Sequence, residues 1–458
     1  MTVPRRRAVA GLAVLVLCAA GCSGPDRRAS EVAPDFLVEN LGGTTSAREF
    51  RGRPFHQSAR SLDNSEFARF GDGAVVFDAD FTPEMGLGPT FNETSCLGCH
   101  TDTAQRRPAD PLDPGPGRLV RLSVVGDTAN GAPRIDPTYG LQLQDRSIAS
   151  AEAEGRVDIE WTYLDGTYGD GTPYQLRRPA VTITNLSSGP LAVDAMTSMR
   201  IAPPILGLGL LEAIPESMLV AAQDPDDLNG DGISGRRNMV WDALAQQPTT
   251  GRFGWKAGQP NVRQQSADAL HDDMGVTSAD APDPCANQGS ACNIIEEAIE
   301  MTDTDFADQV FYNRTIAVPI ARGVRRPEVI RGANRFVDTG CAACHTTTHR
   351  TGPDEVDGLA DQTIHPFTDL LLHDMGDGLA DGRPEFEASG REWRTPPLWG
   401  LGYRAEVTGS ATLLHDGRAR SMAEAVLWHG GEARRAQQAF LSMSAEDRAD
   451  LLAFLHAL

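Results

Sequence analysis

Positive charge is scarce in this chain: 41 lysines and arginines stand against 63 aspartates and glutamates, a formal net charge of −22 over 458 residues. A phosphate-binding surface needs the opposite balance, so nucleic acid and anionic membrane surfaces are excluded as partners. The acidity keeps an exported protein soluble, and it would also draw a basic electron-transfer partner. Long apolar runs are absent as well. The run at residues 8–20, behind Arg5, Arg6 and Arg7, is shorter than the roughly 20 residues of a spanning helix. It reads as a signal peptide over residues 1–21. The small residues Ala19, Ala20 and Gly21 before Cys22 resemble a bacterial lipoprotein box, although Leu is more usual where Ala19 stands. Lipidation at Cys22 and ordinary signal cleavage are the two alternatives. The expectation is an exported protein, periplasmic or a cell-envelope lipoprotein, with residues 22–34 as a polar tether.

Cysteine is used sparingly, and the eight sort without remainder. Cys18 and Cys22 belong to the leader, and Cys285 and Cys292 can close a disulfide across a short Gly/Asn/Ser loop, with two free thiols as the alternative. The other four fall into CLGCH, Cys96 to His100, and CAACH, Cys341 to His345. Haem c attachment needs two thiols for the porphyrin vinyl groups and an adjacent imidazole for the iron, and one helical turn brings Cys i, Cys i+3 and His i+4 together. From the cysteine and histidine counts, about 0.003 such strings would arise by chance, so two are no accident. The rival is a four-Cys zinc site. Its pairs lie some 15–20 residues apart and need no following histidine, whereas these two are separated by over two hundred residues. Two covalently attached haem c groups are therefore expected, on Cys96, Cys99 and His100 and on Cys341, Cys344 and His345.

Short β-branched or aromatic segments between Gly, Pro and Asp turns predict a small β-rich insertion at about 118–187. From Ile201 the pattern becomes helical and loop-rich. A helix from Glu328 to Phe336 leads into CAACH, Ser421 and Glu424 form a capping box opening another, and Ser444 caps a closing helix with Leu451, Leu452, Leu455 and Leu458 at helical spacing. No internal repeat stands out beyond the two haem motifs. The fold class expected is mainly α, with two cytochrome c-like haem domains at 35–318 and 327–458.

The strings GRFGWKAGQPNVRQQ, HDDMG, CAACH, LLLHDMGDGLADG, EWRTPPLWGLG and LLHDGRARSMAEAVLWHGGEA, long and in matching order, resemble the bacterial di-haem oxidoreductase family. Its members are peroxidase-like and related to di-haem cytochrome c peroxidases, and the likeness runs from about Phe55 onward. In those relatives a ligand of the second haem stands fourteen residues after a histidine in a His-x-Gly turn. Counting from His415 reaches His429, where relatives carry Met or Tyr. The resemblance thus implies a bis-histidine C-terminal haem, His345 with His429, with Met375 as the runner-up and a surface histidine at a helix end as the bland alternative.

The relatives also carry a histidine shortly after the first attachment motif. Here none occurs between His100 and His271, so either the N-terminal haem has an open face or His56, His271 or Met274 supplies a ligand. Alignment of HDDMG nominates Asp273 as the acid–base group for peroxide cleavage, with Gln265 as a polar neighbour. Trp255 resembles the tryptophan between the haems; a solvated Asp and a core Trp are the alternatives. Asp227, Asn229 and Asp231, with Gly232 at the sixth position, begin an EF-hand-like loop within 224–242 that suits calcium. Position twelve is Asn238 rather than Glu, so Asp224 or Asp242 would have to compensate, and an acidic turn is the alternative. His349, His365 and His373, just beyond the second motif, could hydrogen-bond haem propionates or line the pocket, with surface positions expected for most.

Together these readings imply peroxide reduction at the N-terminal haem with electrons entering through the C-terminal one. The partners implied are a small electron-donor protein or quinol-linked cytochrome, and hydrogen peroxide or another small oxidant. A pure electron carrier and a di-haem oxygenase acting on an organic substrate are the other two function classes left open.

Overall fold

The computed structural model describes Met1 and residues 32–48, 53–100, 117–292, 299–408 and 412–458; the leader and Cys22 lie outside these. Two helix pairs organise the chain around the two attachment motifs. The first pair is Asn64–Asp78 with Asp303–Thr315. Asp63 starts its leading helix through a full capping box with Glu66, and Thr302 caps the other. The second pair is Pro327–Asp338, opened by a proline in its first turn, with Ala445–Ala457, capped by Ser444.

Each pair crosses at a glycine. A Cβ on Gly73 would collide with the Asp308 carbonyl and crowd Tyr312; one on Gly332 would collide with the Asp450 carbonyl and crowd Phe454. The close approach is pinned in each case by an arginine on the glycine-bearing helix, Arg69 to Asp308 and Arg331 to Asp450, both 2.7 Å. Four residues after each glycine comes a phenylalanine facing the partner helix: Phe77 lies 5.1 Å from Tyr312, and Phe336 5.3 Å from Phe454. This is an internal repeat that sequence inspection did not reveal.

The mainly α expectation is not met: helix makes up 30% and strand 20% of the chain. The strands form six small antiparallel sheets among the described residues. Arg118–Asp127 pairs with Met196–Ile201 and with Pro133–Arg134. Arg156–Thr167 and Pro173–Thr184 make a long two-stranded ribbon. Its turn reaches the C-terminal helices, where Gly169 donates to the Leu441 carbonyl and Asp170 pairs with Arg448. Further pairs lie in the stretch expected to be helical and loop-rich: Met239–Asp242 with Gln247–Thr250, His349–Arg350 with Thr363–Ile364, and Leu372–Asp374 with Glu392–Arg394. Strands of two to four residues are shorter than a periodicity window can register. They form because segments passing the cavity must pair their backbone N–H and C=O groups with something other than a helix ladder.

The largest apolar core runs through both halves of the chain, from Phe55 and Leu206 to Trp399 and Phe454. Among the described residues, no helix is long and apolar enough to cross a membrane. Cys285 and Cys292 are joined as a disulfide.

Candidate functional site

Ser95 caps the short helix Cys96–Cys99, and the second motif begins in the 3-10 turn Cys341–Ala343 directly after the helix Pro327–Asp338. Both motifs open onto one cavity of about 1020 Å³. That is at the upper end of the ~300–1,000 Å³ usual for a single small-molecule site. None of the four motif cysteines is in a disulfide, and burial raises the pKa of every one, Cys96 to about 12.

The two histidines are held alike. His100 donates from Nδ1 to the Pro203 carbonyl at 2.9 Å, and His345 to the Phe367 carbonyl at 2.8 Å. That fixes the tautomer and leaves each Nε2 lone pair for a metal. Burial lowers both to about 4, so both imidazoles are neutral, the form a metal needs. The repeat extends to their surroundings, since Phe77 lies 6.3 Å from the His100 ring and Phe336 6.2 Å from that of His345.

His429 lines the same cavity as the C-cap residue that follows the helix Met422–Trp428. Ser421 caps this helix, but Glu424 turns to the backbone N–H of Arg420 instead of completing the expected capping box. His429 donates from Nδ1 to the Ala425 carbonyl at 2.7 Å, again leaving Nε2, and burial lowers its basicity. It is near enough that its charge would further lower His345. Met375 also lines the cavity.

Around the first motif, His271 commits both nitrogens, to Asp272 at 3.1 Å and to the Asp283 carbonyl at 2.9 Å, and does not reach the cavity. His56 stands behind Phe77, whose ring contacts both His56 and His100, with its Nδ1 2.5 Å from the Tyr312 hydroxyl. Met274 is buried at the cavity edge, packed into a separate cluster with Phe81 and Leu270. Asp273, near the end of the helix Val262–Met274, lines the cavity close enough to Cys96 and Cys99 to act on both thiols. Burial pushes its carboxyl up to about 6, against the pull of Arg121 and of a 2.8 Å hydrogen bond from Gln142. Gln265 lines the same wall, and Trp255 lies on the cavity with its indole N–H donating to the Ile201 carbonyl at 2.8 Å.

The donor set fits two haem groups: a pair of thiols and a neutral, oriented imidazole at each motif, and one further oriented imidazole, His429, at the second. Apart from His373, named in sequence as a candidate pocket residue, the further polar residues that line or border this space were not singled out there. His349, His365 and His373 are buried rather than on the surface. His373 is clamped between Asp369 at 2.9 Å and Glu432 at 2.7 Å. Asp268, a second carboxyl on the Asp273 helix, also lines the cavity, and burial raises it to about 6. Lys256, the only lysine of the chain, lies fully buried over the Trp393 ring, whose stacking partner is His415 at 3.7 Å. Nothing in a linear string marks such residues, because only folding brings them to a common space.

Residues 228–232 of the 224–242 stretch are exposed, and the side-chain oxygens of Asp227, Asn229 and Asp231 serve the loop's own backbone. Asp227 accepts from Gly232, Asn229 from Asp231, and Asp231 from Ile233. Asn238 is fully buried, with its amide bonded to the Lys256 and Glu385 carbonyls, so position twelve does not face the loop.

A family profile described as "Di-haem oxidoreductase, putative peroxidase" matches residues 166–458. No curated protein matches the chain. Among solved structures, a MauG-like protein associated with microbial copper homeostasis is 16% identical, over 56% of this chain and 89% of that one, with a TM-score of 0.28. Kuenenia stuttgartiensis hydrazine synthase is 20% identical over 34% of this chain, with a TM-score of 0.23, and the match spans 56% of that chain's length. The profile begins after the first attachment motif, so the equivalence of that motif to the second rests on the repeated glycine, phenylalanine and histidine geometry. With well over half its length matched by the profile, the chain belongs to the di-haem oxidoreductase family.

Proposed function

We propose that this chain is an exported di-haem c-type oxidoreductase that reduces hydrogen peroxide at its N-terminal haem with electrons delivered through its C-terminal haem. The observation that carries the reading is the unequal furnishing of one cavity: His429 accompanies His345 at the second motif, while an acid of raised pKa, Asp273, stands beside the first. Cys96, Cys99 and His100, and Cys341, Cys344 and His345, would hold the two groups, through thioether bonds and one axial imidazole each. When bound, a six-coordinate haem passes electrons and one with an open face binds and reduces a small oxidant.

Peroxide takes two electrons and two protons on its way to two waters, and a proton must move from its inner to its outer oxygen. Asp273 suits that transfer. Its Oδ1 accepts from Gln142, which leaves Oδ2 to take and return the proton at the cavity surface. Electrons would come from a small donor protein or quinol-linked cytochrome, for which the acidic chain favours a basic docking face. The disulfide supports an oxidising, extracytoplasmic compartment.

The test is peroxide consumption by the purified chain supplied with a reduced cytochrome. Turnover is expected in the native chain, with kcat/KM lowered at least ~100-fold in Asp273→Asn. A haem-loaded chain that does not turn over peroxide contradicts the reading. We also propose calcium at Asp227, Asn229 and Asp231. Metal analysis before and after EGTA is expected to find and then lose one ion per chain, and finding none refutes it.

A further inference from the structure

Of the six arginines that line the cavity, three are matched by carboxylates among the described residues. Arg200 pairs with Asp381 at 3.0 Å, Arg383 with Glu385 at 2.9 Å and Arg121 with Asp272 at 2.9 Å. Arg394 is different. It is 7% exposed and lines the cavity, yet no carboxylate lies within 4.0 Å of it among the described residues. Its Nε donates to the Gly254 carbonyl at 2.9 Å and its Nη1 to the Thr395 carbonyl at 3.3 Å, and Nη2 has no protein partner among the described residues. The acid that acts on it from farther away, Asp369, is already engaged by His373 and the Leu371 N–H. A buried guanidinium without a counter-charge is costly, and burial accordingly pulls Arg394 down to about 10, still cationic at neutral pH.

Its place in the fold points to the missing anion. Arg394 pairs across a two-stranded sheet with Leu372, five residues after Phe367, whose carbonyl orients His345. We infer that Arg394 is the carboxylate anchor of the C-terminal haem, its guanidinium holding a propionate of the group attached at Cys341 and Cys344. Arginine suits the task because its planar fork meets a carboxylate with two parallel N–H groups. The inference rests on the functional reading only in requiring a haem at that motif.

The readout is the midpoint potential of the C-terminal haem, followed by spectroelectrochemistry between about pH 5 and 8. The other titratable groups nearby are Asp369, His373 and Glu432, fixed in their own ion-paired triad, His345, held neutral by burial, and His429, whose basicity burial lowers. A propionate paired with Arg394 stays ionised throughout, so the native potential is expected to be flat across this range. In Arg394→Gln the unpaired propionate takes up a proton when the iron is reduced. One of the two couples then becomes pH-dependent and falls below its native value at the alkaline end, while the other is unchanged. Arg394→Lys keeps the charge and is expected to restore the flat profile.

Haem content separates the two claims. A native chain without haem at Cys341 and Cys344 overturns both. Two haems per chain with an unaltered potential in Arg394→Gln overturn the anchor alone. If Arg394→Gln fails to fold, a native potential that is flat across the range, together with an Arg394→Lys profile like it, supports the anchor, and a sloping native potential refutes it.

Discussion

At the scale of single residues, the account depends on which groups hold protons. Asp273 is lifted by burial to about 6, so it changes charge within the working range of most enzymes. To receive a proton from peroxide it must begin ionised. Peroxide kcat/KM is therefore expected to rise with pH through about 6 in the native chain, and Asp273→Asn should abolish that inflection as well as the rate. Because the folded pKa lies above the ordinary carboxylate value of about 3.9, the ionised side chain opposes folding at neutral pH. The Asn variant should thus unfold no more easily than the native chain in denaturant at pH 7, which distinguishes lost chemistry from lost structure. The motif cysteines, His100 and His345 could be singled out in sequence by their Cys-x-x-Cys-His spacing, and His429 by its distance from His415 in the string that resembles the family's. Arg394 and the triad of Asp369, His373 and Glu432 were not legible, since an unmatched or doubly matched buried charge exists only after distant strands meet.

At the scale of elements, the C-terminal helices and the β-rich insertion at about 118–187 were legible in sequence, and the short strands after Ile201 were not. Ser421 and Ser444 are local signals, and each caps a helix in the structure, as the expected helix from Glu328 to Phe336 lies within Pro327–Asp338. A pair such as Leu372–Asp374 with Glu392–Arg394 has no local signal, because its stability comes from tertiary partners such as the Arg236–Glu392 ion pair at 2.7 Å beside it. The repeated helix crossings escaped notice for a related reason, as the glycine is shared by position and not by the residues around it. At the second crossing, Gly332→Ala is expected to cost about 2–3 kcal/mol, because the added methyl meets the Asp450 backbone carbonyl rather than a movable side chain. Denaturant melts would show it; an unchanged midpoint would mean the two helices do not need that approach.

At the scale of the whole molecule, two equivalent helix pairs present two equivalent histidines to one cavity, and the asymmetry lies in what else lines it. His429 lies with the second motif and Asp273 with the first. The proposed function rests on that inequality, since a six-coordinate iron relays electrons and an accessible one can carry out substrate chemistry. The measurement that tests this most directly is the EPR spectrum of the purified chain, with and without hydrogen peroxide, alongside His429→Ala. The account predicts one low-spin haem that is lost as such in His429→Ala, and a second haem whose signal changes on adding peroxide. Two low-spin haems indifferent to peroxide, or a His429→Ala spectrum identical to the native one, would contradict it.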